Sequence, residues 1–264
     1  MTAVRLIAID VDGTLLDSSH RLRPANARAL RDAIQQGVEV VLASARSPRA
    51  LAPVLAACGI ANGYAVSYQG ALTLEVTEGS AATVREQRID LPLAQELVAR
   101  AVTAGGDVNW YSGNRWLTPI VTGRVRREAK IIALRPEVSD LRSLTQGPHK
   151  LLILGEPSGD SQRLGALQNP AATVEISKPG YTEIVSQRVS KGQALLHLLA
   201  DLKIERSAAV AVGDGANDVA MFAVAGHSVA MRNAPHDVRA AASEVTSSND
   251  EDGVAHVIRR LVLS

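Results

Sequence analysis

Short apolar runs that each end in a cluster of polar residues set the tightest limit on how this chain folds. Residues 4–9 lead into Asp10-Val11-Asp12, 38–43 into Ser44-Ala45-Arg46, and 64–68 into Gln69-Gly70. Residues 208–212 lead into Gly213-Asp214-Gly215-Ala216-Asn217-Asp218, and 228–231 into Arg232-Asn233. Runs this short and this uniformly apolar suit strands buried on both faces, as in a parallel sheet covered by helices. In such a sheet ligands bind in the crevice beyond the carboxyl ends of the strands. The pattern therefore predicts one site assembled from loops far apart in sequence.

Helical signals separate the runs. Pro24 opens a helix over 24–36 that Gly37 closes, and Ser47-Pro48 opens a second that Gly59 ends. Ser190 and Gln193 form a Ser-x-x-Gln capping box ahead of an apolar face over 194–202, placing Lys191 in the first helical turn. Further helices are expected over 217–225, 235–242 and 253–261. The middle reads differently, with a helix over 91–104 and a hairpin of 108–111 and 115–118 about Ser112-Gly113-Asn114. A strand at 149–154, a helix over 160–167, and strands at 173–177 and 181–185 turning at Lys178-Pro179-Gly180 follow. Because parallel strands precede and follow this α+β layer, it is an insertion. The expected fold class is α/β: a Rossmann-like three-layer core with a parallel sheet, from 1–75 and 190–264, plus an inserted α+β cap domain at 76–189.

Composition narrows the partners. Hydrophobic residues make up 46% of 264 residues, yet no stretch approaches the ~18 uninterrupted apolar residues of a membrane span. The apolar segment before Asp10 is too short for a signal peptide and reads as the first core strand. Cys58 is the only cysteine, which excludes intramolecular disulfides and multi-cysteine zinc sites and fits a reducing compartment, the cytoplasm by default. A net charge of +1 with interspersed signs offers no nucleic-acid footprint. A small-molecule ligand is the expected partner, bound by a monomer or small homo-oligomer.

Asp10-Val11-Asp12-Gly13-Thr14 places two carboxylates just past a buried strand, where a polar turn alone would also account for Gly13. A calcium loop is excluded: the glycine comes too early, and the twelfth position is Arg21 where Glu is required. Neither nucleotide fingerprint fits, since no Gly-x-x-x-x-Gly-Lys-Ser/Thr occurs and Gly213-x-Gly215-x-x-Asp218 lacks its third glycine. Asp214, Asn217 and Asp218, at i, i+3 and i+4, share one helical side. Such carboxylates beside Asp10 repel one another unless a cation lies between them, and an all-oxygen cluster suits Mg²⁺. Lys191 then serves as a fixed positive charge facing anionic oxygens, and Ser44 as a hydroxyl donor. Arg46 suits either a structural ion pair or a phosphate contact.

Asp10-x-Asp12-Gly13-Thr14, Ser44, Lys191-Gly192 and Gly213-Asp214-Gly215-x-Asn217-Asp218 resemble, in order, the four motifs of the haloacid dehalogenase-like phosphatases. The long insertion, Tyr181-Thr182-Glu183-Ile184, Met231-Arg232-Asn233-Ala234 and the Asn249–Ala255 stretch are similar to the Cof-type subfamily. The resemblance implies a phosphatase in which Asp10 attacks phosphorus to form an aspartyl-phosphate. Asp12 would protonate the leaving oxygen and then activate water. It further implies Mg²⁺ held by the Asp10 side chain, the Asp12 carbonyl oxygen and Asp214, with Asp218 in support, and phosphoryl oxygens held by Ser44, Ala45, Lys191 and Asn217. For Asp12 to act as an acid, burial or a neighbouring carboxylate would have to raise its hold on a proton. Small phosphorylated metabolites, sugar phosphates foremost and phosphorylated cofactors such as pyridoxal phosphate or flavin precursors behind them, are the implied substrates. Phosphomutase-like transfer to a second acceptor and a non-enzymatic phosphometabolite sensor are the rival readings. The family usually has Thr-Gly where this chain has Ser44-Ala45, and Asn where it has Gln69. In the insertion, Trp110 and Arg115 are candidate substrate contacts, with Tyr111, Arg124, Arg126 and Arg127 nearby; a core aromatic pair and a solvated basic face are the alternative reading of these residues.

Overall fold

The computed structural model describes residues 3–263. In chain order the elements begin with β1 Leu6–Asp10, α1 Pro24–Gln35, β2 Glu39–Ala43, α2 Pro48–Cys58, β3 Asn62–Ser67, β4 Leu72–Thr77 and β5 Ser80–Glu86. They continue with α3 Leu91–Thr103, β6 Asp107–Ser112, β7 Arg115–Thr118, α4 Gly123–Ile131, β8 Glu137–Val138, β9 Lys150–Leu154, α5 Asp160–Leu167, β10 Ala172–Lys178 and β11 Tyr181–Ser186. The last are α6 Lys191–Asp201, β12 Ala209–Gly213, α7 Val219–Phe222, β13 His227–Ala230, α8 His236–Ala241, β14 Glu244–Val245 and α9 Gly253–Leu261. Two compact units result. One comprises the chain up to Ala45, Leu51–Arg85 and everything from Ser190 on; the other comprises Arg46–Ala50 and Glu86–Val189.

The first unit holds a sheet of order β14-β13-β12-β1-β2-β3-β4-β5, parallel from β14 to β3 and antiparallel between β3 and β4. Strand alternation divides β1 between two cores. Ile7 and Ile9 pack with Leu30 of α1, Leu51 of α2 and Val254 of α9, while Leu6 and Ala8 pack with Leu195 and Leu198 of α6 and Met221 of α7. Helices thus cover both faces of a sheet whose central strands are apolar except at their ends, the three-layer solution for buried parallel strands. The chain leaves β1 toward β2 on one side, and β12 lies on the other. This is a topological switch point, with a crevice at the strand ends.

The hairpin β4–β5 extends this sheet through Arg85, past the expected junction at 75/76. Its turn residues Glu78 and Gly79 both have positive φ, 50° and 78°, the twist that tight hairpins need. The expected helix over 217–225 is a tight turn at Ala216–Asp218 followed by only α7.

The second unit holds a sheet of order β10-β11-β9-β6-β7-β8, antiparallel except between β7 and β8. Val108, Trp110, Leu151, Ile153 and Ile184 form its core with Leu97 and Ala101 of α3 and Leu167 of α5. Tyr111 and Trp116 stack with ring centroids 5.7 Å apart, and Lys150 Nζ, paired across the strands, donates to Glu183 Oε2 at 3.1 Å. Among the described residues no helix is long and apolar enough to cross a membrane.

Candidate active site

Asp10 ends β1 with 6% of its surface exposed, because the strand carries it into the crevice while its neighbours fill both cores. The chain then turns at Gly13, whose φ of +85° belongs to the left-handed region. A Cβ there would sit 2.3 Å from Asp214 Oδ2, so glycine also allows the loop from β1 to touch the loop from β12. Thr14 ties the two loops by donating from Oγ1 to Asp214 Oδ1 at 2.9 Å.

Lys191 opens α6, where the Ser190 hydroxyl caps the helix by accepting from Gln193 N at 3.0 Å. Only this half of the expected capping box forms; the Gln193 side chain turns to His197. Lys191 is 1% exposed, and its Nζ hydrogen-bonds to Asp10 Oδ1 and, at 2.7 Å, to Asp218 Oδ1. The other oxygen of Asp218 accepts from the backbone N–H groups of Asp214 and Gly215, at 3.0 and 2.9 Å, and so shapes the β12 loop. One ammonium thus joins the end of β1 to the second acidic loop.

The charges do not balance. Asp10, Asp214 and Asp218 each bring an oxygen within 4.8 Å of the others, three carboxylates against one buried ammonium. Burial pushes the Asp10 carboxyl well above its usual range; Lys191 opposes this, and Asp218 and Asp214 add to it. Burial likewise raises Asp214 to about 6, offset by the Thr14 hydrogen bond and Lys191 and reinforced by Asp218 and Asp12. For Lys191 burial works downward, but Asp10 and Asp218 outweigh it and hold the proton firmly. A hard divalent cation is the complement such an oxygen cluster lacks, so the residues fit Mg²⁺.

Asp12 is exposed, although burial was one expected means of raising its hold on a proton, and the His20 imidazole stands at 3.3 Å. Ser44 is buried, its N–H donating to Val66 O at 2.8 Å and its carbonyl accepting from Gln69 N at 3.0 Å; Ala45 follows half-buried. Tyr68, Gln69 and Gly70 have successive φ values of 52°, 60° and 110°. Left-handed backbone at non-glycine residues costs on the order of 1–3 kcal/mol each and persists where surrounding structure imposes it. Gly70 lies where this turn meets the α6 start, and a Cβ there would lie 2.3 Å from Ser190 O. Asn217 is half-buried on the turn that carries Asp218.

Asp10, Asp12, Ser44, Ala45, Lys191, Asp214, Asn217 and Asp218 all belong to the first unit, whereas Arg46, Trp110 and Arg115 belong to the second. Of its two readings, substrate contact or core aromatic, Trp110 takes the core one: at 1% exposed it lies beneath α3 and α5, because it alternates with Tyr111, which takes the other face. Arg115 is exposed and donates from Nε and Nη2 to Glu137 Oε2. Arg124 pairs with Asp107 and Glu156, while Arg126 and Arg127 are exposed on α4. Sequence reasoning gave no role to Asn233 and Asn249, although both lie in motifs it singled out. Asn233 Nδ2 donates to Gly13 O at 2.8 Å, and Asn249 Nδ2 to Leu16 O at 3.0 Å.

Comparison with known proteins gives a consistent result. A family model for haloacid dehalogenase-like hydrolases matches residues 7–258. Phosphatase YwpJ of Bacillus subtilis is 29% identical over 291 residues, covering 98% of this chain and 100% of that protein. The 5-amino-6-(5-phospho-D-ribitylamino)uracil phosphatase YcsE of the same bacterium is 29% identical over 266 residues, covering 98% and 96%. A crystal structure of a haloacid dehalogenase-like hydrolase from Bacteroides thetaiotaomicron superposes with a TM-score of 0.88 at 29% identity, covering 97% of this chain and 99% of that one.

Proposed function

Because the chain belongs to the haloacid dehalogenase-like hydrolases and is a phosphatase, we propose that it hydrolyses small phosphorylated metabolites with Mg²⁺ through an aspartyl-phosphate on Asp10. The observation that carries this reading is Asp10 at the end of the central strand, bound to Lys191 and grouped with Asp214 and Asp218. A carboxylate oxygen of Asp10 forms a bond to phosphorus as the ester oxygen leaves, and Asp12 gives that oxygen its proton. Asp12, now ionised, takes a proton from water; the water oxygen attacks phosphorus and the bond to Asp10 breaks. The exposed position of Asp12 suits this double duty, since both the leaving alcohol and the water must reach it.

Lys191, Ser44, Asn217 and the Ala45 backbone would hold the phosphoryl oxygens. Mg²⁺, held by Asp10, the Asp12 carbonyl and Asp214 with Asp218 behind them, would offset the repulsion between carboxylate and phosphate dianion. Asp218, with both oxygens already taken by Lys191 and two backbone N–H groups, suits a supporting place.

For the substrate, the leading reading is a phosphate ester on a sugar-derived carbon chain. Relatives named for a phosphorylated ribitylamino compound, 29% and 25% identical, support it and make that ribitylamino ester the second reading. The second unit would select the leaving group, and the cytoplasm would supply it. The test is phosphate release from a panel of sugar phosphates, the ribitylamino ester and an aryl phosphate. Release with Mg²⁺ that stops on chelation is expected; full turnover in metal-free buffer would refute the metal, and transfer of the phosphoryl group to a second sugar phosphate would refute hydrolysis.

A further inference from the structure

Met231-Arg232-Asn233-Ala234 and the stretch from Asn249 stand at the strand ends without a part in the chemistry above. Asn233 is exposed, yet its amide is engaged on both sides. Its Nδ2 donates to Gly13 O at 2.8 Å and to Asp214 Oδ2 at 3.4 Å, and its Oδ1 accepts from Asn249 N at 3.1 Å. A backbone N–H only donates, so the atom facing Asn249 must be the amide oxygen, and the NH₂ group must face Gly13 and Asp214. The amide therefore has one allowed orientation.

Asn249, itself 6% exposed, is fixed in turn by Nδ2 donating to Leu16 O at 3.0 Å. Further along, Asp250 Oδ1 accepts from Ser18 N at 2.8 Å and Asp252 Oδ1 from Arg23 Nε at 2.6 Å. This segment clasps the loop that carries Asp12. At Asp214 the consequence is specific: Thr14 donates to Oδ1 and Asn233 to Oδ2, so each carboxylate oxygen has its own donor and rotation of the group is opposed. The same Asn233 amide pins the carbonyl of Gly13, whose φ sets the peptide it shares with Asp12.

We propose that Asn233 is a positioning residue that, braced by Asn249, holds Asp214 and the Asp12-Gly13 peptide in the arrangement that receives the cation. The inference rests on the metal reading above. Partners that orient a ligand in this way typically contribute about 10–100-fold to metal affinity, and exposure of Asn233 with one long contact places it at the low end.

The test compares wild type with Asn233→Ala and with Asn233→Leu, which keeps the branched shape but cannot donate. Circular dichroism establishes that each is folded, and the melting temperature is followed against Mg²⁺ concentration from a metal-free start. Both variants should match wild type without metal and need about tenfold more Mg²⁺ for half of the metal-dependent rise. An unchanged Mg²⁺ midpoint in both variants overturns the inference, and so does a lower metal-free melting temperature with an unchanged midpoint, which would mark a merely structural residue. No Mg²⁺ response in wild type would instead overturn the metal reading and the inference with it.

Discussion

Each of the two units buries a lysine, and the two lysines keep different company. Lys150 in the second unit is 7% exposed, pairs with Glu183 at 3.1 Å and lies 5.5 Å from the centre of the Tyr111 ring. Lys191 in the first is 1% exposed and meets two carboxylates, with Asp214 close behind them. Near Lys150 the second carboxylate, Glu175 opposite Glu183, is exposed; at Lys191 the carboxylates are buried or half-buried, and such a cluster stores repulsion that a cation can offset. The lesson is that a buried surplus of charge, more than burial of a single charge, separates the two sites.

Replacing each lysine by methionine tests that contrast most strongly. Lys191→Met should lower turnover of an aryl phosphate by about 10²–10³-fold, because the donor proposed to hold the phosphoryl oxygens is gone. It should also destabilise by about 3–5 kcal/mol, as expected when one partner of a buried pair is removed, with Mg²⁺ restoring part of the loss. Lys150→Met should cost similar stability with turnover per folded molecule intact and no Mg²⁺ rescue. Equal catalytic loss in both would erase the distinction. Asp12→Asn should reduce turnover by about 10²–10⁴-fold while leaving stability and phosphoenzyme formation from a good leaving group in place. Wild-type turnover would remove Asp12 from the acid-base role.

Within the second unit the same logic separates neighbours. Trp110→Ala should destabilise by about 3–5 kcal/mol through the core cavity and lower activity on every substrate in proportion. Arg115→Ala, at an exposed ion pair, should leave the melting temperature unchanged, so any shift in substrate ranking would be read directly. A changed ranking in Trp110→Ala at full stability would contradict its place in the core.

The smallest effect concerns His149, which accepts from Gly113 N at Nδ1 and reaches Glu86 Oε2 at 3.0 Å through Nε2. Burial, helped by Arg88 and opposed by Glu86, pushes this imidazole down to about 4. The unfolded chain takes up the proton near 6.5, the folded one only near 4, so stability is lost as pH falls through that window, by roughly 3 kcal/mol in total. Denaturant unfolding at stepped pH should show this loss, and a His149→Gln variant should show a shallower one. Identical slopes would assign the acid sensitivity to other groups.

Much of the first unit was legible because its signals are local and redundant. Apolar runs gave β1, β2, β3, β12 and β13 within one or two residues, with Pro24, Pro48, Gly37 and Gly59 at the helix ends. The cluster of Asp10, Lys191, Asp214 and Asp218 followed from where those strands stop. The hairpin β4–β5 was not legible, since Ser80–Glu86 is exposed along its whole length and so lacks an alternating pattern, and Glu78-Gly79 is an unfamiliar turn pair. Helix α4 was hidden for a like reason: only Val125 and Glu128 are buried, and its start depends on a Thr122 hydroxyl accepting from Val125 N. Trp110 and Tyr111 could be recognised as a strand pair, but which of them faced the core depends on register with β9, a property of the assembled sheet. Asn233 and Asn249 act through amide orientation, which sequence spacing does not encode.

The central claim is that the surplus-carboxylate cluster is where the phosphoryl group is accepted, and the most direct measurement is to trap that group. Asp12→Asn, mixed rapidly with an aryl phosphate, acid-quenched and digested, should yield a peptide containing Asp10 that is heavier by one phosphoryl group when Mg²⁺ is present and unmodified when it is chelated. The double variant Asp10→Asn/Asp12→Asn should yield none. A phosphoryl group on any other residue, or label on Asp10 that forms equally well without metal, would contradict the account.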